Sequence, residues 1–186
     1  FVLAGGQSEE STGEGGIGKI KLTYAELNPD GHPMAEVGYY FAEKVKEYSD
    51  GAMTIEVYTS GVLGSEKESI QAMQTGGGSV DIFRGNTNSV ADYNMMKLSL
   101  FGMPYTFRDR AHLWAVLESE IGVEFLDEPV ESGSKLKGLF YTEEGARHFF
   151  TAKPITGMAD LDGMKMRVPK TPVMTDTVKA LGIEPT

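Results

Sequence analysis

The chain of 186 residues contains no cysteine, only three histidines and no long apolar run. Without cysteine, these residues offer no disulfide, no thiol nucleophile and no cysteine–zinc site. The three histidines, His32, His112 and His148, are too scattered for a metal-binding motif, and no HExxH spacing occurs. No apolar run approaches the roughly 18 residues that span a bilayer. We therefore expect a globular protein without a metal or other cofactor.

Positive charge is also scarce, because the net charge is −10. A nucleic acid or an anionic membrane surface needs a basic face on its partner, so both are unexpected partners. An anionic ligand would have to be recognised by local, short-range contacts. Only five residues are arginine, namely Arg84, Arg108, Arg110, Arg147 and Arg167.

Residues 1–18 combine an apolar stub with a polar, glycine-rich tract. Leu3-Ala4-Gly5 is similar to the end of a bacterial lipoprotein signal, in which the next residue is the cysteine that receives the lipid. Here that position is Gly6, so we expect a lipoprotein-signal remnant followed by a flexible linker. The alternative is an apolar stub that precedes a linker for unrelated reasons. Without a cysteine, this chain is not lipidated at Gly6.

The same tract contains glycines spaced as in a phosphate-binding loop, Gly13-x-x-x-x-Gly18-Lys19. Ile20 stands where such a loop carries the serine or threonine that contacts magnesium. A phosphate-binding loop also follows a strand, whereas this tract precedes the first one. We therefore interpret the tract as a linker.

Strand and helix patterns alternate from Lys19 onwards. Apolar residues recur at every second position in the predicted strands and at helical spacing in the predicted helices. The predicted strands are 19–25, 53–58, 80–83 and 135–141. One predicted helix contains Phe41 and another contains Ile70. A third, long helix contains residues 114–125 and is capped by Asp109. This alternation predicts an α/β fold with a largely parallel sheet.

Polar residues follow three of these predicted strands directly. Glu26 follows the first strand, Ser65 and Glu66 follow the second, and Arg84 and Asn86 follow the third. Ligands bind beyond the carboxyl ends of the strands in open α/β sheets, so these residues are candidate ligand contacts. For the third segment the alternative is an Asx-type turn that caps the next helix.

Arg167 lies in a short predicted strand of alternating character. Met164, Met166 and Val168 fall on one face, and Arg167 falls on the other. Thr171 has the features of an N-cap before a helix that Gly182 ends. A guanidinium between a strand and a helix start is well placed to bind a carboxylate through two parallel hydrogen bonds.

Arg147 lies twenty residues before Arg167, in Gly145-Ala146-Arg147-His148-Phe149. A surface ion pair is the ordinary explanation for either arginine alone.

Several motifs occur in an order and spacing that resemble one protein family. They are, in chain order, Phe41-Ala42-Glu43-Lys44-Val45, Ile55-Glu56-Val57-Tyr58, Gly61-x-Leu63-Gly64, Met103-Pro104-Tyr105-Thr106-Phe107-Arg108-Asp109-Arg110, Gly145-Ala146-Arg147-His148, Asp160-Leu161-Asp162-Gly163-Met164-Lys165-Met166-Arg167-Val168-Pro169 and Leu181-Gly182-Ile183-Glu184-Pro185-Thr186. Through them, residues 19–186 resemble the solute-binding proteins of tripartite ATP-independent periplasmic (TRAP) transporters.

The resemblance implies a two-lobed α/β fold of the periplasmic-binding-protein type, which closes on a small carboxylate by hinge motion. It assigns 1–18 to the signal remnant and linker, 19–141 to a nearly complete lobe one, and 142–186 to the start of lobe two. Because the family pattern continues beyond Thr186, it also implies a C-terminally truncated chain. Such a fragment is expected to bind its ligand at least about a hundredfold more weakly than the full-length protein.

Truncation also predicts an exposed apolar face on the strand that contains Met164, Met166 and Val168.

Ligand contacts are implied at specific positions. In the family, the arginine matching Arg167 clamps the ligand carboxylate and the one matching Arg147 helps it. Positions matching Asn86, Ser65, Glu26 and Ala25 line the pocket and vary with the substrate.

Arg84 departs from the family pattern, because some relatives carry an apolar or aromatic residue there. A third cation would then face the ligand and favour a second anionic group, as in a dicarboxylate or an acid sugar. Otherwise, Arg84 is expected to pair with a nearby carboxylate such as Asp81.

The implied function is that of a non-enzymatic, extracytoplasmic protein that delivers a small organic acid to TRAP membrane permease subunits. Its implied location is the periplasm, with a lipid anchor to the membrane in the native form. Two alternatives are a carboxylate-sensing receptor domain and a hydrolase or lyase with Glu26 or Glu66 as base. No nucleophile–base pair in the sequence supports the enzyme. The sequence does not specify which organic acid is bound.

Overall fold

A computed structural model describes residues 2–4 and 19–186 of the chain. Its strands and helices, in chain order, are β1 (Val2–Ala4), β2 (Ile20–Ala25), α1 (Pro33–Tyr48), β3 (Met53–Tyr58), α2 (Glu66–Thr75), β4 (Ile82–Phe83), 3-10 helices at Val90–Tyr93 and Lys97–Gly102, α3 (Arg110–Leu117), α4 (Glu120–Glu131), β5 (Leu136–Gly138), a 3-10 helix at Met158–Leu161, β6 (Lys165–Met166), α5 (Pro172–Ala180) and β7 (Glu184–Pro185). Strands and helices alternate through the first half of the chain, which confirms the predicted α/β class.

Five strands form the main sheet in the order β3-β2-β4-β1-β5. β2 is parallel to both of its neighbours, with Tyr24 opposite Val57 on one side and Ile82 on the other. β1 is antiparallel to β4 and β5, with Val2 opposite Phe83 and Gly138. The prediction of a largely parallel arrangement is thus confirmed for the three strands around β2.

The sequence predicted no strand in 1–18, whereas Val2–Ala4 form β1 inside the sheet. The assignment of 1–18 to a signal remnant and linker stays a prediction. Three consecutive apolar residues pair with strands on both sides, so their backbone groups satisfy the edges of β4 and β5. The predicted linker at 5–18, including Gly6 and the loop-like glycines, lies outside the described residues.

Tyr24 explains why α1 packs closely on β2. Its side chain is fully buried and forms a core with Ile82, against which Val37 and Phe41 of α1 pack. A Cβ atom added to Gly38 would lie 2.8 Å from Cε1 of Tyr24, so only glycine permits this approach of the helix. The packing fixes the orientation of β2, whose carboxyl end carries Glu26.

The prediction of one long helix over 114–125 is wrong, because the structure has two helices there, α3 and α4. The break occurs at Ser119, whose hydroxyl donates to the carbonyl of Val116 (2.7 Å) and accepts from the N–H of Ile121 (3.2 Å). A serine can satisfy local backbone groups in this way and so compete with a continuous helix. The predicted cap is confirmed, since Asp109 Oδ1 accepts from the N–H of His112 at 2.7 Å.

The chain divides into two compact units. The first unit contains the residues up to Gly85 and 126–142, and the second contains 86–125 and 143–186. This division places 86–125 with the C-terminal residues, whereas the sequence assigned them to lobe one. The chain leaves the first unit after β4 and returns within α4, which periodicity along the sequence does not reveal. The lobe boundaries themselves remain a prediction.

The second unit has its own core beside the β6–β7 pair. Val168 and Val178 are buried with Leu161 and Ile183, and Met166 packs against them. The predicted alternation is confirmed, because Lys165 and Arg167 on the opposite face are exposed. The expectation of an exposed apolar face at Met164, Met166 and Val168 is wrong, since Val168 is buried and both methionines are half-buried. Val168 and Met166 pack with Val178 of α5 and with Ile183.

Gly138 lets β5 pack against α4, and we predict that Gly138→Ala is destabilising. An added Cβ would lie 2.5 Å from the carbonyl oxygen and 2.9 Å from Cα of Leu126, which are backbone atoms that cannot move aside cheaply. The free energy of unfolding should fall by roughly 1–3 kcal/mol, the usual cost of overpacking. Chemical denaturation measures this, with Gly77→Ala as the control, because a Cβ there would meet nothing closer than 3.9 Å. Equal midpoints for both variants would contradict this account.

Candidate functional site

The carboxyl ends of β2 and β4 lie side by side in the first unit. The chain runs from β2 through α1 to β3 on one side of β2, and then through α2 to β4 on the other side. The strand order therefore reverses at β2, and ligands of open α/β sheets bind beside such a reversal point. Glu26 directly follows β2 and Arg84 directly follows β4.

Glu26 and Arg84 form a bidentate ion pair at this reversal point. Nε of Arg84 donates to Oε2 of Glu26 at 2.7 Å, and Nη2 donates to Oε1 at 2.9 Å. The Glu26 side chain is fully buried, whereas 12% of the Arg84 side chain is exposed. The backbone N–H and the amide nitrogen of Asn28 also donate to Glu26 Oε1, at 2.8 and 2.9 Å. Arg84 thus pairs with Glu26. Asp81 accepts from the N–H of Thr23 at 2.8 Å.

The environment keeps Glu26 ionised. Burial alone would raise the pKa of its carboxyl group, but the hydrogen bonds from Arg84 and Asn28 and the charge of Arg84 outweigh burial and lower that pKa. The buried hydroxyl of Tyr24 lies 3.4 Å from Oε2. Burial and the nearby Glu26 charge raise the Tyr24 pKa, so its hydroxyl stays protonated. As a general base, Glu26 would have to give up these contacts, which disfavours the enzymatic alternative that uses it.

Ser65 lies at the carboxyl side of β3 but serves as the N-cap of α2. Its hydroxyl accepts from the N–H of Glu68, and the Glu68 carboxylate accepts from the N–H (2.8 Å) and hydroxyl (2.7 Å) of Ser65, which completes a capping box. Glu66 follows Ser65, and its Oε1 would lie 3.5 Å from a Cβ placed on Gly85. A second carboxylate therefore lies beside the residue that follows Arg84.

Asn86 begins the part of the chain that belongs to the second unit. Its Oδ1 accepts from the N–H of Asn88 at 2.9 Å, and its carbonyl accepts from the N–H of Ser89 at 3.0 Å. This is the Asx-type turn that the sequence left as an alternative, and it leads into the 3-10 helix at Val90–Tyr93. The side chain is half-buried.

Arg147 and Arg167 both lie in the second unit with exposed side chains. Arg167 follows β6 directly, whereas Arg147 lies in a stretch without helix or strand. Among the residues that the structure describes, neither guanidinium has a hydrogen-bond or ion-pair partner. By contrast, Arg110 donates to Glu143 Oε2 at 2.6 Å. Both cations are therefore available to an anionic group, although no contact joins them to each other.

A shallow groove of about 480 Å³ follows Arg167 along the start of α5. It is lined by Val168, Lys170, Thr171, Pro172, Thr175, Asp176, Pro185 and Thr186. Thr171 occupies the predicted N-cap position, but its side chain makes no capping hydrogen bond. Its Oγ1 is buried and has no hydrogen-bond partner within the described part of the chain.

The described part of the chain contains no group of three or more His, Cys, Asp or Glu side chains that could hold a metal ion. Nor does it contain a helix that is both long and apolar enough to cross a membrane.

The sequence left open that Arg84 pairs with a nearby carboxylate such as Asp81, but it did not identify Glu26 as that partner. One signal was present in the sequence. The two residues directly follow neighbouring parallel strands, and the carboxyl ends of such strands meet at one edge of the sheet. Pairing Glu26 with Arg84 from this signal requires the order of the strands, which sequence patterns do not specify.

Comparison with known proteins shows matches over nearly the whole chain. Residues 24–186 match the family model described as bacterial extracellular solute-binding protein, family 7 (DctP). A solute-binding protein of Roseobacter denitrificans is 33% identical over 146 residues, which are 78% of this chain and 43% of that protein. The C4-dicarboxylate-binding periplasmic protein DctP of Rhodobacter capsulatus is 28% identical over 166 residues, which are 89% of this chain and 49% of that protein.

Solved structures show the same similarity. A TRAP periplasmic solute-binding protein of Pseudomonas putida with bound D-glucuronate superimposes with a TM-score of 0.82 at 33% identity, over 90% of this chain and 54% of that one. The corresponding protein of Xanthobacter autotrophicus with bound β-D-galacturonate gives a TM-score of 0.80 at 30% identity, over 89% and 54%. The chain spans about half the length of the proteins that it matches. It belongs to family 7 of the bacterial extracellular solute-binding proteins, the family of TRAP solute-binding proteins.

Proposed function

We propose that the protein carrying this chain captures a small organic acid outside the cytoplasm and delivers it to the membrane permease subunits of a TRAP transporter. The observation that carries the proposal is the exposed guanidinium of Arg167, which has no ion-pair partner in the described part of a chain with a net charge of −10. Membership of the family and the uronates bound in similar structures support it.

Arg167 is proposed as the principal anchor of the ligand carboxylate. Its backbone is held by the core beneath it, because the neighbours Met166 and Val168 pack into the second unit. The guanidinium presents a planar pair of N–H donors that matches the two oxygens of a carboxylate. Arg147 is proposed to assist it, as an exposed cation of the same unit.

The other proposed ligand-binding residues are Asn86, Ser65, Glu26 and Arg84. Ser65 and Asn86 present polar groups at local turns, while Glu26 and Arg84 act together as an ion pair. The ion-pair geometry supports a binding role more than a catalytic one, because Glu26 is buried and fully engaged. We propose no catalytic step for this protein.

The proposed location is the periplasm or another extracytoplasmic compartment, which the family description supports. A lipid anchor in the native form stays a prediction, because it depends on the position of Gly6, outside the described residues.

A thermal-shift screen of the full-length protein tests the function. The library contains sugar acids, hydroxy acids, dicarboxylates and 2-oxo acids, together with neutral sugars as the negative set. A ligand at a hundred times its Kd adds about 2.7 kcal/mol to the stability of the folded state, which raises the melting temperature clearly. We expect shifts only with organic acids. The proposed function is overturned if only neutral sugars raise the melting temperature, or if no acid raises it.

A further inference from the structure

Glu143 is held by two side chains of α3 in the second unit. Nε of Arg110 donates to Oε2 of Glu143 at 2.6 Å, and the indole Nε1 of Trp114 donates to the same oxygen at 2.7 Å. Only 16% of the Glu143 side chain is exposed, whereas 76% of the Arg110 side chain is exposed. All three residues belong to one unit, and we refer to them as the Glu143 cluster.

The cluster stabilises the ionised form of Glu143. The hydrogen bonds from Arg110 and Trp114 lower the pKa of its carboxyl group, the charge of Arg110 lowers it further, and burial opposes this only in part. Glu143 therefore carries a negative charge at neutral pH, and Arg110 balances that charge within the cluster.

Arg147 follows Glu143 by four positions, in a stretch without helix or strand. Its guanidinium is exposed and has no hydrogen-bond or ion-pair partner in the described part of the chain. Four residues separate their Cα atoms by at most about 14 Å, and Gly145 between them has a φ of +93°, which departs from an extended strand. A Glu143 carboxylate released from α3 would therefore be a nearby competitor for the guanidinium of Arg147.

We infer that the Glu143 cluster keeps the Glu143 carboxylate away from Arg147 and so leaves Arg147 open to the carboxylate of the ligand. Arg110 is then a positioning residue, which acts on the ligand only through Glu143. The inference rests on the proposed function, in which Arg147 assists Arg167. It adds to that function a group of residues that raises affinity without contacting the ligand.

Calorimetry on the full-length protein tests the inference. The probes are the organic acids of the thermal-shift screen, beginning with D-glucuronate, D-gluconate and succinate, and the variants are compared with the acid that binds the wild type most tightly. Arg110→Met frees Glu143 from its ion pair and lets it compete for Arg147. Affinity should fall by about threefold to fivefold, the upper range of what an exposed ion pair contributes.

The double variant Arg110→Met, Glu143→Gln distinguishes competition from any other effect of losing Arg110. Glutamine keeps an acceptor for Trp114 but has no charge with which to bind Arg147. The double variant and Glu143→Gln alone should therefore bind within about twofold of the wild type, because the competing ion pair is absent.

Lys21→Met is the matched control. It also removes an exposed cation and takes from a carboxylate, that of Glu56, its ion-pair partner at 2.7 Å, but it does so in the first unit. Its affinity should equal that of the wild type.

Three results would overturn the inference and leave the proposed function standing. They are wild-type affinity in Arg110→Met, a double variant that binds as weakly as Arg110→Met, and an equal loss of affinity in Lys21→Met. If no organic acid binds the wild type, the proposed function fails, and the inference fails with it.

Discussion

Replacing Arg84 with methionine is expected to lower the free energy of unfolding by about 3–5 kcal/mol, the usual cost of breaking a buried ion pair. The loss arises because Glu26 is fully buried and would keep only its contacts with Asn28 and Tyr24. Chemical denaturation of the purified chain measures the change. Hydrogen exchange of β2 and β4 amides then shows whether the loss is centred on their carboxyl ends.

Two control variants distinguish the effect of breaking the Glu26–Arg84 pair from a general effect of removing an arginine. The double variant Glu26→Gln, Arg84→Met should recover much of the stability, because replacing both members of a buried pair is often neutral. Arg110→Met removes a guanidinium whose side chain is 76% exposed, so its cost should stay below about 1 kcal/mol. If Arg84→Met and Arg110→Met cost the same, the buried pair does not stabilise the first unit.

The same pair gives the wild-type chain a defined acid dependence. The folded state lowers the pKa of Glu26 below its ordinary value of 4.5, so the pair stabilises the fold fully above that pH. This contribution is lost as the pH falls through the lower, folded-state pKa. Arg84→Met removes the main favourable contacts, so the difference in stability between wild type and variant should narrow as the pH falls below about 4.5.

Arg167→Lys in the full-length protein is expected to weaken binding of the organic acid by at least about tenfold. Lysine keeps the charge but cannot reproduce the planar pair of donors, and a charge-assisted hydrogen bond contributes roughly 1.5–3 kcal/mol. Calorimetry with the strongest acid of the thermal-shift screen measures the effect. Lys179→Gln is the control, because it removes an exposed cation from the last turn of α5. Unchanged affinity in Arg167→Lys would remove Arg167 from the anchoring role.

Periodicity in the sequence predicts the elements whose apolar residues all face one core. It gives β3 at its observed bounds and places β2 within one residue, because alternation continues over six residues of each strand. It also places Met166 and Val168 inside the second unit and Arg167 on its surface. Such predictions succeed because each residue is judged against near neighbours in the chain.

Features that depend on distant partners could not be predicted in this way. β1 is a strand because β4 and β5 offer edges more than 70 residues away. The Glu26–Arg84 pair joins residues 58 positions apart. The sequence shows the residue types of β1 and of the Glu26–Arg84 pair. Their roles follow from the order of strands in the sheet.

The central claim is that the full-length protein recognises its ligand through a carboxylate. The most direct test is calorimetry with D-glucuronate and with D-glucose, which differ only in whether carbon 6 is a carboxylate or a hydroxymethyl group. Other sugar acids and their neutral counterparts serve as further matched pairs. We expect at least one acid to bind with micromolar or tighter affinity, equivalent to roughly 8 kcal/mol, and its neutral counterpart to bind at least about tenfold more weakly. Equal affinities for the acid and its neutral counterpart would contradict the account.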